Sequence, residues 1–133
     1  MPIDRLEEAI VGTDEIGLRH GLPTCSWGHA GDGNLHSTFM VSRDDAEGLE
    51  RAEEAAAELF RLALDLGGTV SGEHGIGIAK SVGLAAQMTE DEISVHREIK
   101  ACFDPKGLMN PGKKTITSRY LSGGHESDAR PTG

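Results

Sequence analysis

The sequence is poor in aromatic residues, cysteines and basic residues, and each scarcity argues against a class of protein. Only 4% of the 133 residues are aromatic, and 13 lysines and arginines stand against 22 acidic residues, which gives a net charge of −9. Nucleic acids and anionic membrane surfaces are therefore poor partners. The two cysteines form no Cys-x-x-Cys pair, so they indicate neither a disulfide framework nor a thiolate zinc site. We expect Cys25 and Cys102 to be buried small side chains.

Long apolar runs are also missing. No run approaches the ~20 residues that a membrane-spanning helix needs, and the first residues, Met1-Pro-Ile-Asp, lack the basic-then-apolar order of a signal peptide. A chain of this length can nevertheless bury a substantial core as one domain. We therefore expect a cytoplasmic protein.

Hydrophobic spacing and turn residues predict several helices and one β-hairpin. The first expected element is a helix Ile3–His20 with Ile3, Leu6, Ile10, Thr13 and Ile16 on its apolar face. The hairpin strands Thr24–Trp27 and Leu35–Val41 follow, and then a helix that is capped by Ser42 and has an apolar stripe from Leu49 to Leu66. The last expected elements are a strand Thr69–Ser71, a short helix Ile78–Ala86 and a helix Asp91–Phe103 that begins at a Thr89–Glu92 capping box. This order predicts an α+β fold, an antiparallel sheet with helices packed on one side. Residues 117–133 contain almost no apolar side chains, so we expect a disordered tail after a domain over residues 1–116.

Two glycine-rich runs carry the residues with chemistry. The run from Gly28 to His36 sets His29 and His36 seven residues apart around a turn, and a second run puts Glu73 beside His74. Two imidazoles and one carboxylate suit Zn²⁺ or Mn²⁺ and leave coordination positions open. The sequence therefore predicts a metal site of His29, His36 and Glu73, although a pair of surface histidines is the simpler interpretation.

His74 follows a predicted ligand directly. Adjacent side chains on a loop diverge, so Glu73 could bind the metal while His74 faces a substrate as a general base near neutral pH. Two other roles remain open for His74, a further metal ligand and a residue that supports the ligands from outside. His20, His96 and His125 are expected to be ordinary surface or helix residues.

Three runs in this order resemble the C-terminal domain of the FAD-linked oxidases, the family of D-lactate dehydrogenase, glycolate oxidase and D-2-hydroxyglutarate dehydrogenase. They are Gly28–His36, Ser71–Gly77 and Asp104–Lys113, and the resemblance covers about residues 1–115. It implies oxidation of a D-2-hydroxy acid to a 2-oxo acid, with hydride passing to FAD. It also implies that His29, His36 and Glu73 are metal ligands and that His74 is the base.

The resemblance further implies that the segment of Asn110, Gly112 and Lys113 lies against the flavin. The family's flavin-binding domain precedes this region and has no counterpart here, so we expect the chain to need a FAD-binding domain or subunit as a partner. Thr38 stands where some hydroxyglutarate-type members have Asn, so their substrate preference is not carried over. The expected substrate is a small 2-hydroxy acid of the D-lactate or glycolate type.

Other functions remain open. The chain could be a truncated or repurposed metal-binding module without redox activity, or a metal-dependent hydrolase that uses the same three residues to activate water. Loss of upstream strands would leave an exposed sheet edge, which favours self-association or binding to a partner.

Overall fold

The structure is a computed structural model that describes residues 1–111 and 113, and the chain divides into two units, Met1–Gly75 and Ile76–Gly133. In the first unit, a 3-10 turn Ile3–Arg5 leads into α1 (Leu6–His20), followed by β1 (Thr24–His29), a 3-10 turn Ala30–Asp32, β2 (Asn34–Phe39) and α2 (Ala46–Asp65). The described part of the second unit contains α3 (Ser81–Gln87) and α4 (Glu90–Phe103). The predicted α+β class is confirmed. Among the described residues, no helix is long and apolar enough to cross a membrane.

The two strands form an antiparallel hairpin, and α1 and α2 pack on each other and on one face of it. The core of this unit contains Ile16, Leu22 and Ala55, with Phe39, Val41, Ala52, Leu59 and Leu62 packed around them. Thr13 is also buried. Its hydroxyl has hydrogen-bond partners there, since it donates to Ala9 O and lies 3.1 Å from Ser37 Oγ on the sheet. The sheet thus has one face towards the helices and one face away from them.

The predicted apolar face of the first helix is partly wrong. Its buried residues are Ala9, Thr13, Ile16 and Gly17, whereas Ile10 is 40% exposed and Ile3 is 59% exposed in the 3-10 turn before α1. Ala9, Thr13 and Ile16 share a stripe three and four residues apart, and Ile10 lies one position round the helix from it. The small side chain of Ala9 allows close packing that the hydrophobicity pattern does not reveal.

Helix α2 begins at a different cap from the predicted one. Asp45, rather than Ser42, is the N-cap, and its Oδ1 accepts a hydrogen bond of 2.9 Å from Gly48 N. The helix ends as predicted just before Gly67, whose positive φ of 76° suits glycine. Leu49, assigned to the apolar stripe, is 44% exposed.

The predicted strand Thr69–Ser71 is absent, and these residues form a loop. The Thr69 hydroxyl donates to Ser71 O at 3.1 Å, and the Ser71 hydroxyl donates to Gly75 O at 2.9 Å. Such local hydrogen bonds compete with a strand ladder, and in the described part of the chain the sheet has only two strands. The loop carries Glu73 and His74.

The cysteine prediction is also wrong, because both side chains are exposed. Cys25 lies on the face of β1 that points away from α1 and α2, since neighbouring strand residues alternate between faces. Cys102 lies near the end of α4.

The second unit confirms the capping box. The Thr89 hydroxyl accepts a hydrogen bond from Glu92 N, and the Glu92 side chain accepts one from Thr89 N. Two backbone N–H groups at the start of α4 thus have acceptors. The predicted short helix is present but begins at Ser81 rather than Ile78. The predicted end of the domain at residue 116 and the tail over 117–133 lie outside the described residues.

Asp104 organises the chain directly after α4. It is buried, its Oδ1 accepts from Leu108 N and its Oδ2 accepts from Met109 N, both at 2.9 Å, and Lys100 Nζ also donates to Oδ2. Lys100 donates to Met109 O as well, at 3.0 Å. One carboxylate and one ammonium thereby hold the segment that leads to Asn110.

A first prediction concerns Gly28, the next-to-last residue of β1. A Cβ there would lie 2.1 Å from Asn34 O and 3.1 Å from Leu35 Cα, which are main-chain atoms of the paired strand. Since neither can move without opening the hairpin, Gly28→Ala should lower the free energy of unfolding by about 1–3 kcal/mol. Urea denaturation followed by circular dichroism measures this loss.

Gly31→Ala is the matched control, because a Cβ at Gly31 has no atom of the described residues within 4 Å. This variant should unfold within about 0.5 kcal/mol of the natural chain, as surface substitutions usually do. Equal stability of the two variants would contradict the packing of the hairpin described above.

A second prediction concerns the protonation of Asp104 at low pH. Lys100 first, and then the amides of Met109 and Leu108, hold the pKa of Asp104 below its ordinary value. A carboxyl group with a lowered folded-state pKa stabilises the fold above its unfolded pKa of about 3.9 and loses that contribution as pH falls through the folded value. The amide resonances of Leu108 and Met109 should therefore move together below about pH 3.9 in NMR spectra.

Asp104→Asn provides the comparison, because an amide does not titrate in this range. In that variant the shared movement of the two resonances should be absent. A common midpoint at or above about pH 3.9 in the natural chain would contradict the lowered pKa.

Candidate metal centre

The hairpin places two histidines on the sheet face that points away from the helices. Its register pairs Trp27 with His36 and His29 with Asn34. Opposite residues share a face and alternate residues return to it, so His29 and His36 are diagonal neighbours there. Their ring centroids are 6.1 Å apart, with an angle of 79° between the ring planes. The predicted approach of the two imidazoles is confirmed.

A short turn makes this register possible. Residues Ala30–Asp32 form a 3-10 turn, and Gly33 closes it with a φ of 67° and a hydrogen bond from its N–H to Ala30 O. Glycine adopts this left-handed conformation without a steric penalty. The two histidines consequently flank the turn, as the sequence predicted.

The loop after α2 supplies the carboxylate. Gly72 passes so close to the hairpin that a Cβ on it would lie 2.6 Å from Asn34 Oδ1. This close approach brings Glu73 Oε1 within 3.1 Å of His36 Nε2. The loop therefore brings Glu73 next to His36, although Glu73 lies 37 residues later in the chain.

The three predicted ligands fit a divalent cation. His29, His36 and Glu73 each offer one ligand atom, and these atoms all lie within 4.8 Å of one another. Ligands at about 2.1 Å from a tetrahedral ion are about 3.4 Å apart, so small side-chain movements would bring all three atoms within bonding distance of one ion. Two nitrogens and one oxygen form a donor set typical of Zn²⁺ or Mn²⁺ with open positions.

The site is open to solvent on one side. The Glu73 side chain is 46% exposed, whereas the His36 side chain is only 18% exposed. His29 is exposed at the end of β1. A small molecule could thus approach a bound ion from the side of His29 and Glu73, while His36 forms the inner wall.

His74 lies beside this group rather than away from it. Its Nε2 is 3.3 Å from Glu73 Oε1, and its ring centroid is 5.1 Å from that of His36. The expected divergence of the Glu73 and His74 side chains is therefore wrong. The His74 side chain is 69% exposed, against 46% for Glu73 and 18% for His36. It can face a molecule bound at the site, and its chemical role stays a prediction.

Trp27 is a residue of the site that the motif reasoning missed. Its ring stacks on His36 with centroids 5.7 Å apart and 21° between the planes. The signal was the hairpin register, which sets Trp27 opposite His36 across the strands. Ring contacts of this kind depend on side-chain orientation, which a sequence pattern does not give.

The remaining predicted site residues belong to the second unit. Asn110 has a positive φ of 48°, the only such non-glycine residue in the described part of the chain, and its carbonyl accepts from Lys113 N at 3.1 Å. Asparagine tolerates this conformation better than most residues. Asn110 and Lys113 thus close a turn, while Gly112 lies outside the described residues. Contact of this turn with a flavin stays a prediction.

His20, the remaining histidine of the first unit, lies in a separate cluster of charged side chains. His20 is more buried than expected, with a side chain only 14% exposed, and its Nε2 lies 2.9 Å from Glu58 Oε1. Arg19 pairs with the same carboxylate at 2.6 Å, and these contacts lower the pKa of Glu58, Arg19 contributing most. This cluster ties α1 to α2. His96 is exposed on α4, and His125 lies outside the described residues.

The comparisons with known proteins agree with the motifs. The family model described as "FAD linked oxidases, C-terminal domain" matches residues 1–114. The chain is 37% identical over 113 residues to glycolate oxidase subunit GlcD of Bacillus subtilis (strain 168), which is 85% of this chain and 24% of that protein. It is 38% identical over 114 residues to D-lactate dehydrogenase of Archaeoglobus fulgidus, which is 85% of this chain and 25% of that protein.

A second bacterial relative gives the same result. Glycolate oxidase subunit GlcD of Escherichia coli (strain K12) is 37% identical over 117 residues, which is 88% of this chain and 23% of that protein. The chain thus spans about a quarter of the length of the curated relatives that it matches. Because the family model covers most of the sequence, the chain belongs to the FAD-linked oxidases, with the C-terminal domain of that family.

Proposed function

We propose that this chain is the substrate- and metal-binding part of a FAD-dependent 2-hydroxy-acid dehydrogenase of the D-lactate or glycolate type. The single observation that carries the proposal is the convergence of His29, His36 and Glu73 in a member of this family. The names of the relatives, glycolate oxidase subunit and D-lactate dehydrogenase, suggest the substrate class.

The three ligands would hold Zn²⁺ or Mn²⁺ at the open face of the hairpin. A bound ion there would supply Lewis acidity and a template for the hydroxyl and carboxylate groups of a 2-hydroxy acid. His29 and Glu73 leave one side of the site accessible, and the half-buried His36 limits the approach from the other. The substrate would therefore enter from the side on which His74 is exposed.

His74 would take the proton of the substrate hydroxyl group. Its Nε2 lies next to Glu73 Oε1, so a hydroxyl oxygen held at the metal centre would be within reach of the imidazole. Oxidation to the 2-oxo acid removes this proton together with a hydride from the substrate carbon. FAD, when bound by the partner, supplies the hydride acceptor.

The partner would be a FAD-binding domain or subunit. The relatives are about four times as long as the region that they share with this chain, so most of such an enzyme lies outside it. Asp104 and Lys100 hold the Leu108–Met109 segment, and the turn closed by Asn110 and Lys113 directly after it would be the part of this chain that meets the cofactor. Both strands of the hairpin are edge strands in the described residues, and such edges would also favour self-association.

Reconstitution tests the proposal. The chain is mixed with the flavin-containing part of the Bacillus subtilis relative that lacks its own matching segment, and flavin absorbance is followed after addition of D-lactate or glycolate. The natural chain should restore bleaching of the flavin. His74→Ala should slow bleaching by about 10²–10⁴-fold, the usual contribution of a general base.

His96→Ala is the matched control, because His96 is an exposed histidine of the second unit with no part in the proposed chemistry. It should bleach the flavin like the natural chain. Absence of bleaching with the natural chain, although it binds the flavin part and one metal ion, would contradict the proposal. That result would favour a metal-binding module without redox activity.

A further inference from the structure

We infer that Trp27 is a positioning residue that fixes the plane of the His36 imidazole for metal binding. The inference rests on the proposed metal centre and adds a residue that is neither a ligand nor a base. The strand register makes Trp27 and His36 a directly opposed pair on the open face of the hairpin.

The Trp27 and His36 rings are stacked and nearly parallel. Their centroids are 5.7 Å apart and their planes differ by 21°. This separation lies within the range of about 4.5–7 Å in which aromatic pairs attract. The nitrogen lone pairs of an imidazole lie at the ring edge, so a stacked neighbour leaves the metal-binding atom free.

The free edge of His36 points at the other ligands. Its Nε2 is 3.1 Å from Glu73 Oε1, and the rings of His29 and His74 lie 6.1 and 5.1 Å away, at steep angles of 79° and 44°. Only the Trp27 ring is near parallel to His36 among these contacts. The χ2 torsion of histidine is broad when nothing restrains it. Trp27 therefore supplies the restraint that keeps Nε2 aimed at the metal position.

His36 is largely buried where it lies among Trp27, Glu73 and the other two histidines. Its side chain is 18% exposed although it lies on the open face of a two-stranded sheet, while Trp27 itself remains 54% exposed. The indole is thus one of the groups that surround the imidazole. Groups that orient metal ligands commonly change metal affinity by about 10–100-fold.

Two substitutions of Trp27 test whether its flat aromatic ring is the property that affects metal binding. Trp27→Phe keeps an aromatic face, and Trp27→Val keeps the preference for a strand but has no flat face. Cys25→Val is the control, because Cys25 lies two residues earlier on the same face and pairs with Thr38. Titration of the full chain with Co²⁺, followed by visible absorption and calorimetry, gives the metal affinity and the coordination geometry.

We expect Trp27→Val to bind Co²⁺ at least about tenfold more weakly than the natural chain and with a changed absorption spectrum. Trp27→Phe and Cys25→Val should stay within about threefold of it. Bound Co²⁺ should also quench the fluorescence of the natural chain, in which Trp27 is the only tryptophan.

Three results would overturn the inference while the metal centre stands: unchanged Co²⁺ affinity in Trp27→Val, equal weakening in Trp27→Phe, and binding of Co²⁺ without quenching. A natural chain that binds no Co²⁺ would overturn the metal centre and this inference together. Thermal unfolding of each variant, without metal, confirms that a loss of affinity does not reflect an unfolded chain.

Discussion

The register of one β-hairpin is the constraint on which the candidate site depends. Pairing of His29 with Asn34 and of Trp27 with His36 places both imidazoles and the indole on one face. A slip by a single residue would change which side chains oppose one another and would turn one strand's set to the other face. The close approach of Gly28 to Asn34 O and the tight turn at Gly33 both hold the strands in the observed register.

The two faces of the hairpin have separate tasks. One face is packed against α1 and α2 through Thr13, Ser37 and Phe39, and this contact makes the hairpin a stable platform. The other face is open and carries the histidines. The loop at Gly72 and Glu73 reaches this open face and brings the third candidate ligand to the two histidines. A two-stranded hairpin alone is at best marginally stable in water, so the helices are a condition for the site.

Much of this arrangement could be predicted from the sequence because it is local. The turn between the strands, the end of α2 near Gly67 and the Thr89–Glu92 capping box follow from residue preferences over a few positions. The convergence of His29 and His36 also follows from a hairpin alone. These features are confirmed by the structure.

The predictions from sequence that are wrong concern residues whose structure is determined by tertiary contacts. The loop at Thr69–Ser71 has strand-forming residues, but local hydrogen bonds and the lack of a pairing strand in the described residues prevent a strand. Ile10 is exposed because the small Ala9 faces the core in its place. The approach of His74 to Glu73 and the stacking of Trp27 on His36 depend on side-chain orientations between segments, which no pattern along the chain encodes.

The central claim is that this chain carries a metal centre built on the hairpin. Elemental mass spectrometry of the purified natural chain and of His29→Ala, prepared in the same way, tests it most directly. We predict about one Zn or Mn per natural chain, because three protein ligands are the usual protein set of a catalytic zinc site, and loss of that metal in the variant. A natural chain without stoichiometric metal, or a variant that retains it, would contradict the claim.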